Sequence, residues 1–249
     1  MKLFMKKNAF TLIELSIVLV IISIIITAIS VASTLVKSTE TKMVIKEVSY
    51  YKAAIDNFKI SFDTYPGDYN GAFNLWGAIS GANCTNNDVN SVETGCNGNG
   101  NGSIDGGFVE DMRSWQHLSL GGFIPGKYPG INPANNTPSA SDPVAGYNIP
   151  KGKLSNSAYH LDNFTVNSRN GNGIRIANAA KFSNAIISPA DAYIIDAKID
   201  DGLPTSGNFY ATIGVDISAT NACVITISGV INYNFQNNGK TCRIFIFFD

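Results

Sequence analysis

Three groups of side chains in this 249-residue chain have the types and spacing to do chemistry. The first is Asn97-Gly98-Asn99-Gly100-Asn101-Gly102-Ser103-Ile104-Asp105, which repeats the spacing of an EF-hand loop: oxygens at alternate positions, glycine sixth, an apolar residue eighth. Hard cations bind oxygen, so calcium is the cofactor this spacing would take, through Asn97, Asn99, Asn101 and Asp105. Charge is what the loop lacks. Asn stands where Asp confers affinity, and Phe108 holds the twelfth position in place of Glu, with only Glu110 or Asp111 close enough to substitute. The competing reading is a Gly/Asn turn stapled by Cys96. The second group, Asp196, Asp200 and Asp201, could hold a cation or exchange protons in a cleft, but a solvated helix end is the commoner role for such a cluster. The third is a lone acid, Glu14, inside an apolar run. His117 and His160 are the only histidines, neither has a ligand or nucleophile at a recognisable spacing, and no G-x-S-x-G, H-E-x-x-H or P-loop sequence is present. The expectation is a protein that is not an enzyme.

Glu14 sits near the head of a stretch from Phe10 to Val36 that is nearly all Ile, Val, Leu, Ala, Ser or Thr, preceded by a basic leader. As a helix such a run reaches about 40 Å, enough to cross a bilayer. A carboxylate near the bilayer centre costs on the order of 3 kcal/mol, so it needs a partner or a way out to water. Cutting the chain between Ala9 and Phe10 would make a partner, because the new α-amine of Phe10 is largely cationic at neutral pH. Two simpler readings compete. A plain anchor tolerates an acid near a helix start, and a secretory signal peptide is suggested by the small residues Ser30-Val31-Ala32, although its apolar region would be unusually long.

The elements that position these groups follow from periodicity. No Gly or Pro occurs between the apolar run and Pro66, and Val44, Val48, Tyr51, Ile55, Phe58 and Phe62 recur at offsets of three and four. One helix from about Phe10 to about Phe62 is predicted, stopped by Tyr65-Pro66-Gly67-Asp68. Short helices are predicted from Ala72 to Ile79, with Trp76 as a packing residue, and from Phe108 to Leu120. Another starts at Ser188-Pro189-Ala190-Asp191, a cap residue followed by proline at the first helical position, and ends near Asp200-Asp201-Gly202. Residues 125–150 read as a long surface loop. Asn208 to Val215, Cys223 to Tyr233 and Cys242 to Phe248 are rich in β-branched and aromatic residues, which predicts a three-stranded antiparallel sheet covered by the second half of the long helix. The fold class is α+β, with one globular domain of ordinary size after the apolar segment.

Formal net charge is −1, and loss of Lys2, Lys6 and Lys7 with a leader would lower it to −4. No nucleic acid partner is indicated by that balance. The four cysteines, Cys84, Cys96, Cys223 and Cys242, all follow the apolar run and form no C-x-x-C pair, which favours disulfides over zinc. With the basic leader held in the cytoplasm, they face an oxidising compartment.

Lys6-Lys7-Asn8-Ala9 followed by Phe10-Thr11-Leu12-Ile13-Glu14 resembles the leader and cleavage site of type IV prepilins and type II secretion pseudopilins. In that family the residue before the cut is usually glycine, where this chain has Ala9. The resemblance implies removal of a leader, residues 1–9, by a prepilin peptidase, N-methylation of Phe10, and pairing of Glu14 with a neighbour's N-terminus during filament assembly. It implies a pilin-like fold with a membrane and filament-core helix over residues 10–36 and a periplasmic or extracellular domain over residues 37–249. Implied partners are sibling pilin or pseudopilin subunits and the assembly ATPase with its inner-membrane platform, and the implied location is the bacterial inner membrane with the N-terminus cytoplasmic, then a filament. Of three possible cysteine pairings, Cys84 with Cys96 and Cys223 with Cys242 is preferred, the latter resembling the C-terminal disulfide loop of many type IV pilins. The runs Tyr65 to Ala72 and Asp196 to Gly202 resemble segments of a subset of large pseudopilin-like proteins. The expected function is a structural subunit, minor or specialised, of a type IV pilus or secretion pseudopilus. The alternative is a membrane-anchored or secreted binding protein that uses the N-terminus only for export.

Overall fold

The computed structural model describes residues 11–77, 96–105, 110–130, 143–218 and 222–248. The chain forms two compact units, residues 1–40 and 41–249. Helix α1 (Leu12–Phe62) belongs to both. Its side chains from Leu12 to Ala32 are exposed, and that span is long and apolar enough to cross a membrane, with a mean hydropathy of 2.9. Polar residues within that span satisfy themselves. The hydroxyls of Ser16, Ser23, Thr27 and Ser30 donate to the carbonyls of Ile13, Leu19, Ser23 and Ile26 at 2.7–3.0 Å, so each carries its own acceptor into an apolar setting.

The second unit has the expected α+β architecture. After α1 come the short helix α2 (Ala72–Trp76), helix α3 (Glu110–Leu120), strands β1 (Ser157–Val166) and β2 (Arg169–Asn178), helix α4 (Pro189–Ile199) and strands β3 (Phe209–Ile213), β4 (Val224–Ile227), β5 (Val230–Tyr233) and β6 (Cys242–Phe247). The main sheet is antiparallel and four-stranded, in the order β1-β2-β6-β3, with β4 and β5 as a separate two-stranded hairpin. The sheet therefore differs from the three strands expected. Cys223 to Tyr233 is not one strand, because Ser228 (φ 52°) and Gly229 (φ 82°) form a tight two-residue turn in its middle. The two longest described strands, β1 and β2, lie outside the three stretches expected to form the sheet, and β2 runs through a segment rich in Asn and Gly.

The periodic residues of α1 do what their spacing requires: Val44, Val48, Ile55 and Phe58 are buried, with Tyr51 and Phe62 packed on the same core. They meet one face of the sheet, to which Tyr159, Leu161, Ile174, Ile176, Ile244 and Ile246 contribute. Tyr51 lies 4.9 Å from Tyr159 and 5.0 Å from Trp115, ring to ring. Farther along, Phe58, Phe62, Tyr69, Trp76 and His117 make a second aromatic cluster, so Trp76 is indeed a packing residue. Burying one such ring is worth about 2–3 kcal/mol. The opposite sheet face carries Phe164, Val166, Tyr210, Phe245 and Phe247. Three of the chain's four arginines lie over these rings, Arg169 at 4.7 Å from Phe247, Arg175 at 5.2 Å from Phe164 and Arg243 at 5.4 Å from Phe245.

A disulfide joins Cys223 to Cys242, with 4.9 Å between Cα atoms, and ties the hairpin to β6. Cys96 is also disulfide-bonded, while Cys84 lies outside the described residues. Helix α4 begins as its sequence demands: the Ser188 hydroxyl accepts from the Asp191 amide at 3.2 Å and donates to the Asp191 carboxylate at 2.6 Å, with Pro189 first in the helix.

Candidate assembly segment and the polar clusters

The described chain starts at Thr11, which is the N-cap of α1. Its hydroxyl accepts from the Glu14 amide at 3.2 Å, while the Glu14 carboxylate accepts from the Thr11 amide at 2.7 Å. This is a reciprocal capping box, Thr-x-x-Glu, and the Thr11 hydroxyl adds a further donation to the same carboxylate oxygen at 2.7 Å. Two of the amide groups that a helix start leaves unpaired are thereby satisfied. The sequence showed Glu14 as an acid in need of a partner. The structure gives it one within its own turn, and the Thr-x-x-Glu spacing was the available signal. Both bonds fall on Oε2; among the described residues Oε1 accepts none. The Thr11 amide belongs to the Phe10–Thr11 peptide bond, so a cut between Ala9 and Phe10 would leave the box whole. Ala9 and Phe10 lie outside the described residues.

The Gly/Asn loop brings some of its oxygens together and turns one away. Asn97 is buried and its side-chain oxygen accepts from the Phe73 amide at 2.7 Å, committing it to α2. Asn99 and Asn101 each accept from the amide two residues on, and Asp105 accepts from the Asn101 side chain at 2.7 Å and the Ser103 hydroxyl at 3.1 Å. Two carboxylates outside the nine-residue run grip its backbone. Asp68 accepts from the amides of Asn101 and Gly102 at 2.9 Å each, and Glu110 from those of Asn99 and Asp105 at 2.8 and 2.9 Å. The turn is therefore held by protein hydrogen bonds on both sides. Gly98 is required where it stands, since a Cβ there would fall 2.2 Å from the Asp68 backbone. Phe108 lies outside the described residues.

Electrostatics follow from burial. Glu110 is fully buried, which pushes its pKa up to about 7, with Asp68 and Asp105 adding to the rise and the two amide donors opposing it. Asp196, Asp200 and Asp201 do converge, with carboxylate oxygens within 4.8 Å of one another. Each is engaged: Asp196 accepts from Gly202 and the Tyr233 hydroxyl, Asp200 from Asn208 and Phe209, and Asp201 from Leu203 and Ser206. Burial, helped by the other two acids, raises Asp196 to about 6.

The histidines were given no chemistry by their spacing. His117 is entirely buried, its Nδ1 accepting from the Gly67 amide at 2.9 Å and its Nε2 donating to the Cys96 carbonyl at 2.8 Å. That arrangement needs the neutral ring, and burial pulls its pKa down to about 3. His160 lies between Asp111, 3.0 Å from Nε2, and Arg175, 3.0 Å from Nδ1, a pairing of α3 with the sheet that sequence spacing could not reveal. Burial raises Asp162 beside them to about 6, which Asp111 reinforces and His160 and Arg175 oppose.

No curated protein and no solved structure matches the chain. One family model does, over residues 4–30, described as the prokaryotic N-terminal methylation motif. The matched span holds Lys6 and Lys7 of the leader, the capping box and most of the apolar helix, and with it the start of this chain is similar to a type IV prepilin-like cleavage and methylation segment.

Proposed function

We propose that this chain is a structural subunit, minor or specialised, of a type IV pilus or type II secretion pseudopilus. The carrying observation is Glu14 held in a capping box at the head of a 21-residue apolar span, inside the matched segment. A prepilin peptidase removes residues 1–9 by cutting between Ala9 and Phe10 and methylates the new amine. Residues 10–36 anchor the subunit in the bacterial inner membrane and later pack in the filament core; residues 37–249 form the domain outside. Its work is assembly. Apolar helices exchange lipid for one another, and the carboxylate of Glu14 meets the cationic terminus of a neighbour, which fixes their register. Sibling subunits, the assembly ATPase and its membrane platform are the partners.

Mass-spectrometric sequencing of the purified protein tests the processing step, and a start at methylated Phe10 is the expected result. A start at Ser33, or an intact Met1, would instead support a binding protein that uses this segment for export or anchoring. Glu14→Ala should leave membrane insertion and leader removal intact while lowering the subunit's share in pelleted filaments by at least about tenfold, the effect of roughly 1.4 kcal/mol. Incorporation at wild-type stoichiometry would remove the pairing role.

A further inference from the structure

Asparagine followed by glycine occurs seven times in this chain, at Asn70, Asn97, Asn99, Asn101, Asn170, Asn172 and Asn238. In such a pair the glycine nitrogen can attack the asparagine Cγ, because the glycine has no Cβ to obstruct closure of a five-membered ring. The attack needs that nitrogen free. An amide bound to an acceptor must first break its hydrogen bond, which requires the local backbone to open.

The fold binds six of the seven glycine amides. That of Gly98 donates to the Tyr69 carbonyl at 2.9 Å, that of Gly100 to the Asp68 carbonyl at 3.0 Å and that of Gly102 to the Asp68 carboxylate at 2.9 Å. Between β1 and β2 the two-residue turn makes Phe164–Gly171 and Asp162–Gly173 hydrogen-bonded pairs, which engages both glycines. The Gly239 amide donates to the Asn237 side chain at 2.9 Å. Gly71 differs. It is the N-cap of α2, where a helix start leaves amides unpaired, and among the described residues its N–H meets no acceptor. Asn70 is exposed, and its side chain makes no hydrogen bond among those residues. Asn97 and Asn172, by contrast, are buried and hold the amides of Phe73 and Ile104.

We propose that Asn70 is a site of spontaneous deamidation, selected by the fold over the six other Asn-Gly pairs. The Gly71 nitrogen bonds to the Asn70 Cγ and gives its proton to solvent, while the Cγ–Nδ2 bond breaks and the leaving nitrogen takes up a proton to depart as ammonia. Water then opens the succinimide at one carbonyl to give aspartate, or at the other to give isoaspartate. One water is consumed, one ammonia is released, and nothing is oxidised or reduced. The product adds a carboxylate to the lining of a cavity of about 400 Å³ between the end of α1 and the Gly/Asn loop, where Asp63 and Asp68 already lie and Lys59 supplies the positive charge.

The test incubates full-length protein in detergent micelles at mildly alkaline pH, digests it and scores the seven Asn-Gly peptides by mass spectrometry, with enzymatic methylation of isoaspartate as a second readout. Asn70 should convert about tenfold faster than the pairs whose glycine amides are held by the backbone or by Asp68. Asn238 should come second, because a single side chain holds the amide after it, and Asn237→Ala should speed its conversion. In denaturant the seven rates should converge. Asn70→Gln should abolish the signal at residue 70 and leave the circular dichroism unchanged. Uniform rates in the folded chain, a lead for Asn99 or Asn101, or an Asn70 that stays intact while the denatured chain reacts would overturn the assignment.

Discussion

Thr11 and Glu14 satisfy each other's polar groups at the point where an apolar helix begins, and neither residue does so alone. The carboxylate accepts two hydrogen bonds through one oxygen, which keeps it in the first turn, next to the site where a new amine would appear. Thr11→Val keeps the shape of the side chain and removes the hydroxyl. It should cost the helix start about 1 kcal/mol, the usual worth of an N-cap, and reduce filament incorporation less than Glu14→Ala does, while Thr11→Ser restores it. Quantifying each variant against wild type in sheared filaments checks the order. Equal incorporation of Thr11→Val and wild type would show that Glu14 needs no help from its cap. At Gly67 the argument is steric rather than electrostatic. Its φ of +93° and the Glu110 carbonyl, which a Cβ would approach to 2.3 Å, leave room for no side chain, and its amide holds His117.

Elements built from periodic apolar residues carry the second unit, and their contributions can be separated. Phe58→Ala empties a fully buried site among Phe62, Phe123 and His117 and should cost 3–5 kcal/mol in chemical denaturation, whereas exposed Ile60, two residues on, should tolerate Ala within about 0.5 kcal/mol. Ser188→Ala removes the cap of α4 and should cost about 1 kcal/mol. These are the elements whose spacing speaks plainly: the offsets of three and four on α1, and the cap, proline and acid that open α4. Strands β1 and β2 stayed hidden for a physical reason. Their turn is Asn167-Ser168, with φ of 48° and 70°, rather than the Asn-Gly that announces a hairpin, and β2 places Gly171 and Gly173 where β-branched residues would have marked a strand. The clusters at Glu110 and His160 depend on residues far apart in the chain, Asp68 with Asn101 and Asp111 with His160, and only folding brings them within hydrogen-bonding distance.

For the whole molecule the buried ionisable groups set a dependence on pH whose sign can be worked out. Glu110 near 7, with Asp162 and Asp196 near 6, all sit above the ordinary carboxylate range, so the folded chain holds these protons more tightly than the unfolded one. Their contribution is complete below about pH 4 and is lost as pH rises through 7. His117 works in the other direction. Its pKa falls from 6.5 to about 3 on folding, so its contribution is complete above the unfolded value and is lost as pH falls through the folded one. Three carboxylates outweigh the one histidine between about pH 4 and pH 7, so together these groups place maximal stability near pH 4, well on the acid side of neutrality. Thermal unfolding of the full chain between pH 4 and pH 8 should therefore show a midpoint that declines from pH 5.5 to pH 7.5. Glu110→Gln loses one of two amide acceptors, so it should unfold at lower temperature throughout, by the few degrees that about 1–2 kcal/mol represents. Because its side chain no longer titrates, the decline should also be shallower than in wild type. A wild-type midpoint that climbs steadily from pH 5.5 to pH 7.5 would mean that the three carboxylates are stabilised as anions in the folded chain, with their amide and hydroxyl donors outweighing burial.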